Sequence, residues 1–245
     1  IEYLIMKHKV RPEEILVITF TKYAAWEMKN RTRSICGPSS YAVTFGTFHG
    51  IYYGILKWAY RLNQSNLLSD EEKYRILREI LPGIDWDQEP EADEEKDYLQ
   101  ELAIEIGNVK NNCMDIEEYE PVKYTTEKFR KLYRTYEETK KKYRKIDFED
   151  MLIQCRDLFM KRPDILKKWQ EKFQYILVDE FQDVNQAQYD VVRMLAAPQD
   201  NLFVVGDDDQ SVYGFRGAKP GIMMEFMKDY PKARQILLDV NYRSS

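Results

Sequence analysis

The chain is poor in the residues that build covalent or metal-held scaffolds. It has 3 cysteines in 245 residues (Cys36, Cys113 and Cys155), far apart and with no C-x-x-C. That excludes a disulfide framework, and with only His8 and His49 there is no zinc-site spacing. No apolar run reaches transmembrane length, and the start lacks a signal-peptide layout. A soluble, cytoplasmic protein is therefore expected. Internal repeats and low-complexity tracts are missing. Glycine is scarce as well: there are 10, and none is followed by lysine. A phosphate-binding loop of the form G-x-x-x-x-G-K-S/T is thus absent from these residues. The net charge of −5 excludes a generally basic nucleic-acid coat but leaves room for a local cationic groove.

What is present begins with 44% hydrophobic residues, enough to fill the core of one large domain or two smaller ones. The central stretch is Ile176-Leu177-Val178-Asp179-Glu180-Phe181-Gln182-Asp183. Three apolar β-formers without polar alternation read as a strand buried on both faces, as in a parallel sheet. Asp179 and Glu180 would then stand on its carboxyl edge, where open α/β sheets bind ligands. Adjacent carboxylates there suit nucleotide chemistry, one holding Mg²⁺ and the other polarising the attacking water. Alone, the pair reads better as the mere start of a turn after a strand.

The rest of the chain decides between those readings. Residues 1–9 carry a helical apolar stripe, and Ile15 to Phe20 reads as a strand. An Ala-rich helix follows, with Thr21 as its N-cap and free amides there that could receive a phosphate. Phe20 at the strand tip is either core or a platform for a base. Tyr41 to Phe48 reads as another strand, ending in Gly46-Thr47-Phe48-His49-Gly50 and leading into a helix. His49 at that junction is more often a local hydrogen-bonding residue than a phosphate or base contact.

From about Asn63 to Arg144 the β pattern fades. Ser69 starts a helix that Pro82-Gly83 breaks, Leu99 to Ile106 is helical, and a longer helix begins at Thr126. Its expected buried face is Phe129, Leu132, Tyr133, Tyr136 and Tyr143. Lys140-Lys141-Lys142 and Arg144-Lys145 make its end basic, as a helix C-terminus favours, with nucleic-acid contact as the minority reading. Beyond it, residues 148–159 and 163–173 read as helices, Gln186 to Leu195 as another, Leu202 to Val205 as a strand, Met223 to Met227 as a helix and Gln235 to Leu238 as a last strand.

Taken together, these blocks resemble the UvrD/PcrA/Rep-type superfamily 1 helicases. TFTKYAAWEM resembles their motif Ia, GTFHG motif Ib, ILVDEFQDVNQAQY motif II, VVGDDDQSVYGFRGA motif III and VNYRSS motif IV. The resemblance spans essentially the whole chain, with five motifs in the family's order. It implies an α/β fold: a RecA-like parallel sheet of the P-loop NTPase type, incomplete at its N-terminus, with an inserted all-helical subdomain. The implied division is 1–62 and 145–238 for the sheet domain, 63–144 for the insertion, and 239–245 as the start of a second motor domain.

The resemblance also implies roles. Asp179 and Glu180 would serve Mg²⁺, with Glu180 orienting the attacking water. Gln210 would sense the γ-phosphate, Arg243 would act as an arginine finger, and Tyr242 would pack near the adenine. Phe20, Thr21, His49, Tyr213, Phe215 and Arg216 would line the DNA strand. ATP and Mg²⁺ are the implied cofactors, and single-stranded DNA and single/double-strand junctions the implied partners. The implied activity is 3′ to 5′ translocation and unwinding in DNA repair or replication. Gln210 lies three residues from Tyr213 and five from Phe215, so one short loop could carry both a phosphate sensor and aromatic platforms. The chain departs from the family at Lys22-Tyr23, where Asn-Lys is usual, and at Phe215, which replaces a frequent Trp. Without the phosphate loop, the 245 residues alone are expected to hydrolyse ATP negligibly. The competing readings are a non-catalytic DNA-binding subunit of a repair complex and the helicase module of a helicase-nuclease.

Overall fold

A computed structural model describes residues 1–84, 94–207 and 221–238. In chain order the named elements are α1 (Glu2–Met6), β1 (Ile15–Thr19), α2 (Lys22–Cys36), β2 (Thr44–Thr47), α3 (Phe48–Tyr60), α4 (Asp70–Ile80), α5 (Glu95–Asn111), α6 (Thr126–Lys142), α7 (Phe148–Lys161), α8 (Pro163–Lys172), β3 (Tyr175–Val178), α9 (Gln186–Ala196), β4 (Leu202–Val204) and α10 (Gly221–Asp229). The strands form one sheet in the order β2-β1-β3-β4, with every pairing parallel.

The unalternating apolar sequence of β1 has a direct cause. All five of its residues are buried because both faces of the sheet are covered. Ile15 and Val17 point into a core shared with Ile5 of α1 and Met28 of α2. Leu16 and Ile18 point the other way, into the larger core with Phe48 and Tyr52 of α3, Leu152 and Cys155 of α7, and Val191 and Leu195 of α9. Side chains of a strand alternate between faces, so a central strand must be apolar at every position. The Tyr52 hydroxyl donates to the Gln188 carbonyl at 2.8 Å, which satisfies a buried polar atom and ties α3 to α9.

Helices α4, α5 and α6 close a second core of their own, centred on Ile76, Leu77, Leu102, Phe129, Leu132 and Tyr136. α4 starts where Ser69 and Glu72 form a reciprocal capping box. The helical region is fastened to the sheet region by buried charge. Lys110 Nζ of α5 lies 2.7 Å from Asp147 Oδ2, 2.7 Å from Asp150 Oδ1 and 2.7 Å from Glu137 Oε1. Lys140 Nζ of α6 lies 2.7 Å from Asp147 Oδ2 and 2.8 Å from Glu137, and also pairs with Asp150. Tyr136 donates to Asp147 at 3.1 Å, and Lys73 of α4 reaches Glu149 at 3.1 Å. The three carboxylates Glu137, Asp147 and Asp150 come within 4.8 Å of one another, close enough for a metal, but two ammonium groups already bridge them.

Several expectations are corrected. Residues 235–238 form no strand, and Ile236, Leu237 and Leu238 are 66%, 83% and 82% exposed. The second strand is shorter than the apolar run, because Thr47 caps α3 by accepting from Gly50 N and Phe48 is already helical. Tyr143 falls after the last turn of α6 and is exposed, so it leaves the buried face. The basic end of α6 is only partly a surface feature: Lys140 is buried in the charge cluster, and Lys145 pairs with Glu72 at 2.8 Å.

Candidate functional site

Parallel strands place all their carboxyl ends on one rim. The register pairs Thr19 with Thr47, Ile18 with Val178, and Val178 with Val204. Four short segments therefore emerge side by side: Phe20-Thr21, Phe48-His49, Asp179-Glu180, and Val205-Gly206-Asp207. Neighbouring strands lie about 4.8 Å apart, so the four span about 14 Å. The sequence assigned these residues to separate motifs, and the sheet puts them on one edge.

Asp179 is half-buried and its backbone N–H donates to Ile18 O at 3.0 Å. Burial first, and then the adjacent Glu180 charge, push its carboxyl above the usual aspartate range, against a backbone hydrogen bond from Glu180. Among the described residues no cation pairs with either acid. Glu180 is exposed and adopts a left-handed backbone, φ 53° and ψ 44°, which a non-glycine residue holds at some cost. That turn ends β3 abruptly and carries the side chain out over the rim. Nearby, the Thr19 hydroxyl is buried without a hydrogen-bond partner among the described residues. Uncompensated carboxylate charge beside an unsatisfied buried hydroxyl suits a bound cation and its water shell.

On the other side of the rim, Phe20 is half-buried and meets Phe48 edge-on, with ring centroids 5.5 Å apart. It is thus packed against the main core while remaining partly exposed. The Thr21 hydroxyl accepts from Ala24 N at 3.0 Å, so it caps α2 as the sequence suggests. His49 stacks on Phe148 at 3.8 Å with 25° between the planes, and Phe148 is 55% exposed. Sequence reasoning missed Phe148. It sits in IDFED beside residues that cap and bury, and only the return of α7 to the rim shows its ring facing outward. Gln210, Tyr213, Phe215, Arg216, Tyr242 and Arg243 lie outside the described residues.

Sequence reasoning also missed Gln182. It is 4% exposed, its Nε2 donates to Glu180 Oε2 at 2.7 Å, and its Oε1 accepts from Asp207 N at 3.1 Å. A glutamine two residues past the acidic pair reads as ordinary turn chemistry until the neighbouring strand is in place.

A parallel α/β sheet with an acidic pair on its carboxyl rim belongs to the class of open α/β folds that bind ligands at that edge. The UvrD/REP helicase N-terminal domain family matches residues 1–231. The chain belongs to that family. It is 40% identical over 247 residues to the putative ATP-dependent DNA helicase YjcD of Bacillus subtilis, covering 96% of this chain and 31% of that protein. It is 38% identical over 251 residues to the ATP-dependent DNA helicase PcrA of B. subtilis, covering 100% of this chain and 33% of PcrA. PcrA of Staphylococcus aureus is 35% identical over 253 residues, covering 100% of this chain and 34% of that protein. The chain thus spans about a third of the length of the curated relatives it matches. Among the described residues, no helix is long and apolar enough to cross a membrane.

Proposed function

We propose that the full-length protein is an ATP-dependent DNA helicase or translocase that moves 3′ to 5′ on single-stranded DNA. The observation carrying this reading is the shared rim: Asp179 and Glu180 stand on the same sheet edge as Phe20, His49 and Phe148. Asp179 would hold Mg²⁺ and Glu180 would orient and deprotonate the attacking water. The metal, when bound, supplies charge neutralisation on the phosphates. Asp179 takes part as the carboxylate, so metal affinity should weaken as pH falls toward its raised pKa. In the same reading Gln210, Tyr242 and Arg243 complete the nucleotide site, and Thr21, Tyr213, Phe215 and Arg216 complete the strand site. On that reading the sheet domain comprises 1–62 and 145–238 and the helical insertion 63–144. The test is strand-stimulated ATP hydrolysis and unwinding of a 3′-tailed duplex by the full-length protein. Hydrolysis that ignores added single strands would sink the reading.

Two further outcomes follow from the rim. Phe148→Ala should weaken binding of single-stranded oligothymidylate by about 1–3 kcal/mol, the scale of one lost base stack, read by fluorescence anisotropy. Unchanged affinity would leave the His49–Phe148 pair a packing feature. Separately, the 245-residue chain alone should hydrolyse ATP at no more than the buffer background. It lacks G-K-S/T, whose lysine and backbone amides would hold the β- and γ-phosphates. Measurable, Mg²⁺-dependent turnover by the purified chain would contradict this.

A further inference from the structure

Resting on the helicase reading, we propose that the outer face of α2 continues the strand site, so that a single strand leaving the rim at Phe20 and Thr21 runs on along this helix as far as Tyr41. α2 begins on the rim, where Thr21 caps it by accepting from Ala24 N at 3.0 Å. Lys22, Trp26, Lys29 and Arg33 then follow at i, i+4, i+7 and i+11. A period of 3.6 residues lines these up as one stripe about 16 Å long. Ala25, Thr32 and Cys36 take the buried side of the helix, and the stripe lies outside them. Tyr23 stands beside it.

Two kinds of group fit this face to a nucleic-acid strand rather than to bulk solvent. The first is charge. α2 holds Lys22, Lys29, Arg31 and Arg33 against one acid, Glu27, in a chain whose net charge is −5. Among the described residues no carboxylate pairs with Lys22, Lys29 or Arg33. A row of one sign, without counter-charges of its own, is complemented by phosphates. The second is aromatic. Tyr23 and Trp26 are 69% and 60% exposed, with ring centroids 5.9 Å apart and planes inclined by 34°. At the far end the Arg33 guanidinium lies over the Tyr41 ring, 4.9 Å from its centroid, and Tyr41 is 61% exposed. Rings this exposed leave π surface on which a base can stack whatever the sequence. An acidic peptide would answer the cations but not the three aromatic rings interleaved with them. Tyr23 falls where the family usually has lysine, so the Tyr23–Trp26 pair belongs to this chain rather than to the motif.

The test titrates oligothymidylates of increasing length against the full-length parent, Trp26→Ala and Arg33→Gln, read by fluorescence anisotropy at several salt concentrations. In the parent, affinity should keep rising with length past the strand that fills the rim. Trp26→Ala should weaken binding of the longest strand by about 5-fold or more, the lower end of one lost base stack, and that of the shortest far less. Arg33→Gln should lower the slope of log affinity against log salt by about 0.7 for the longest strand, the mark of one phosphate contact fewer. A purely structural role would move neither the length dependence nor the slope. Thermal melting checks the fold. If Trp26→Ala melts early, Tyr41→Ala, which lies outside the helix, must show the same length-dependent loss. Variants that bind every length as the parent does overturn the track, while strand-stimulated hydrolysis still upholds the helicase reading. Variants that change the sedimentation of the protein but not oligonucleotide binding assign the face to protein association and overturn it too. A parent that binds no oligothymidylate of any length fails the helicase reading, and the track with it.

Discussion

Replacing Glu180 with glutamine in the full-length protein should lower strand-stimulated kcat for ATP by about 10²–10⁴-fold, the usual worth of a positioned general base. The substitution removes the proton acceptor and little else. Glutamine has nearly the same shape, and its carbonyl can still accept from Gln182 Nε2, which now meets Glu180 Oε2 at 2.7 Å. Affinity for ATP and for single-stranded DNA should therefore remain close to that of the parent. Steady-state hydrolysis and equilibrium binding separate the two effects. A loss below about 10-fold would mean that another group takes the proton, and Glu180 would lose its assigned role.

Removing Asp147 should have the largest effect on stability. Asp147→Ala is expected to destabilise folding by about 3–5 kcal/mol, because it takes from two buried ammonium groups one of the three carboxylates that balance them. Lys110, Lys140 and Tyr136 all converge on Asp147 Oδ2, and its Oδ1 caps α7 by accepting from Asp150 N at 2.8 Å. The pH dependence has a definite sign. Burial works to raise the Asp147 carboxyl, but Lys110 and then Lys140 outweigh it and hold the group well below the usual aspartate range. A depressed folded-state pKa contributes stability above the unfolded value, near 3.9, and loses it as pH falls through the lower folded value. The gap between the parent and Asp147→Asn should thus be steady near neutrality and close only below about pH 4. Urea denaturation at several pH values reads this directly. A gap that closes already between pH 7 and 5 would overturn the assignment.

That cluster also shows the limits of reading a charge run from sequence. Lys140-Lys141-Lys142 looks like one solvated helix end. In the fold Lys140 is 1% exposed while Lys141 and Lys142 remain on the surface. Helical period turns adjacent residues by about 100°, so neighbours in sequence need not share an environment. Which of the three is buried depends on where Asp147 and Asp150, at the start of α7, come to lie beside α6. The strand expected at 235–238 failed for a related reason. Local β-propensity is expressed only where a neighbouring strand offers a ladder, and none of the described strands pairs there.

Legible in the sequence were the family, the strands β1 and β3, the cap of α2 at Thr21, the start of α4 at Ser69, and the placing of Asp179-Glu180 after a strand. Those follow from local rules: apolar runs, capping side chains, and motif order. Only the tertiary structure decided which residues share the rim, that Phe148 stacks on His49, and that Gln182 spans from Glu180 to Asp207. These are contacts between segments far apart in the chain. They exist because parallel strands align their ends, and no single stretch of sequence carries that alignment.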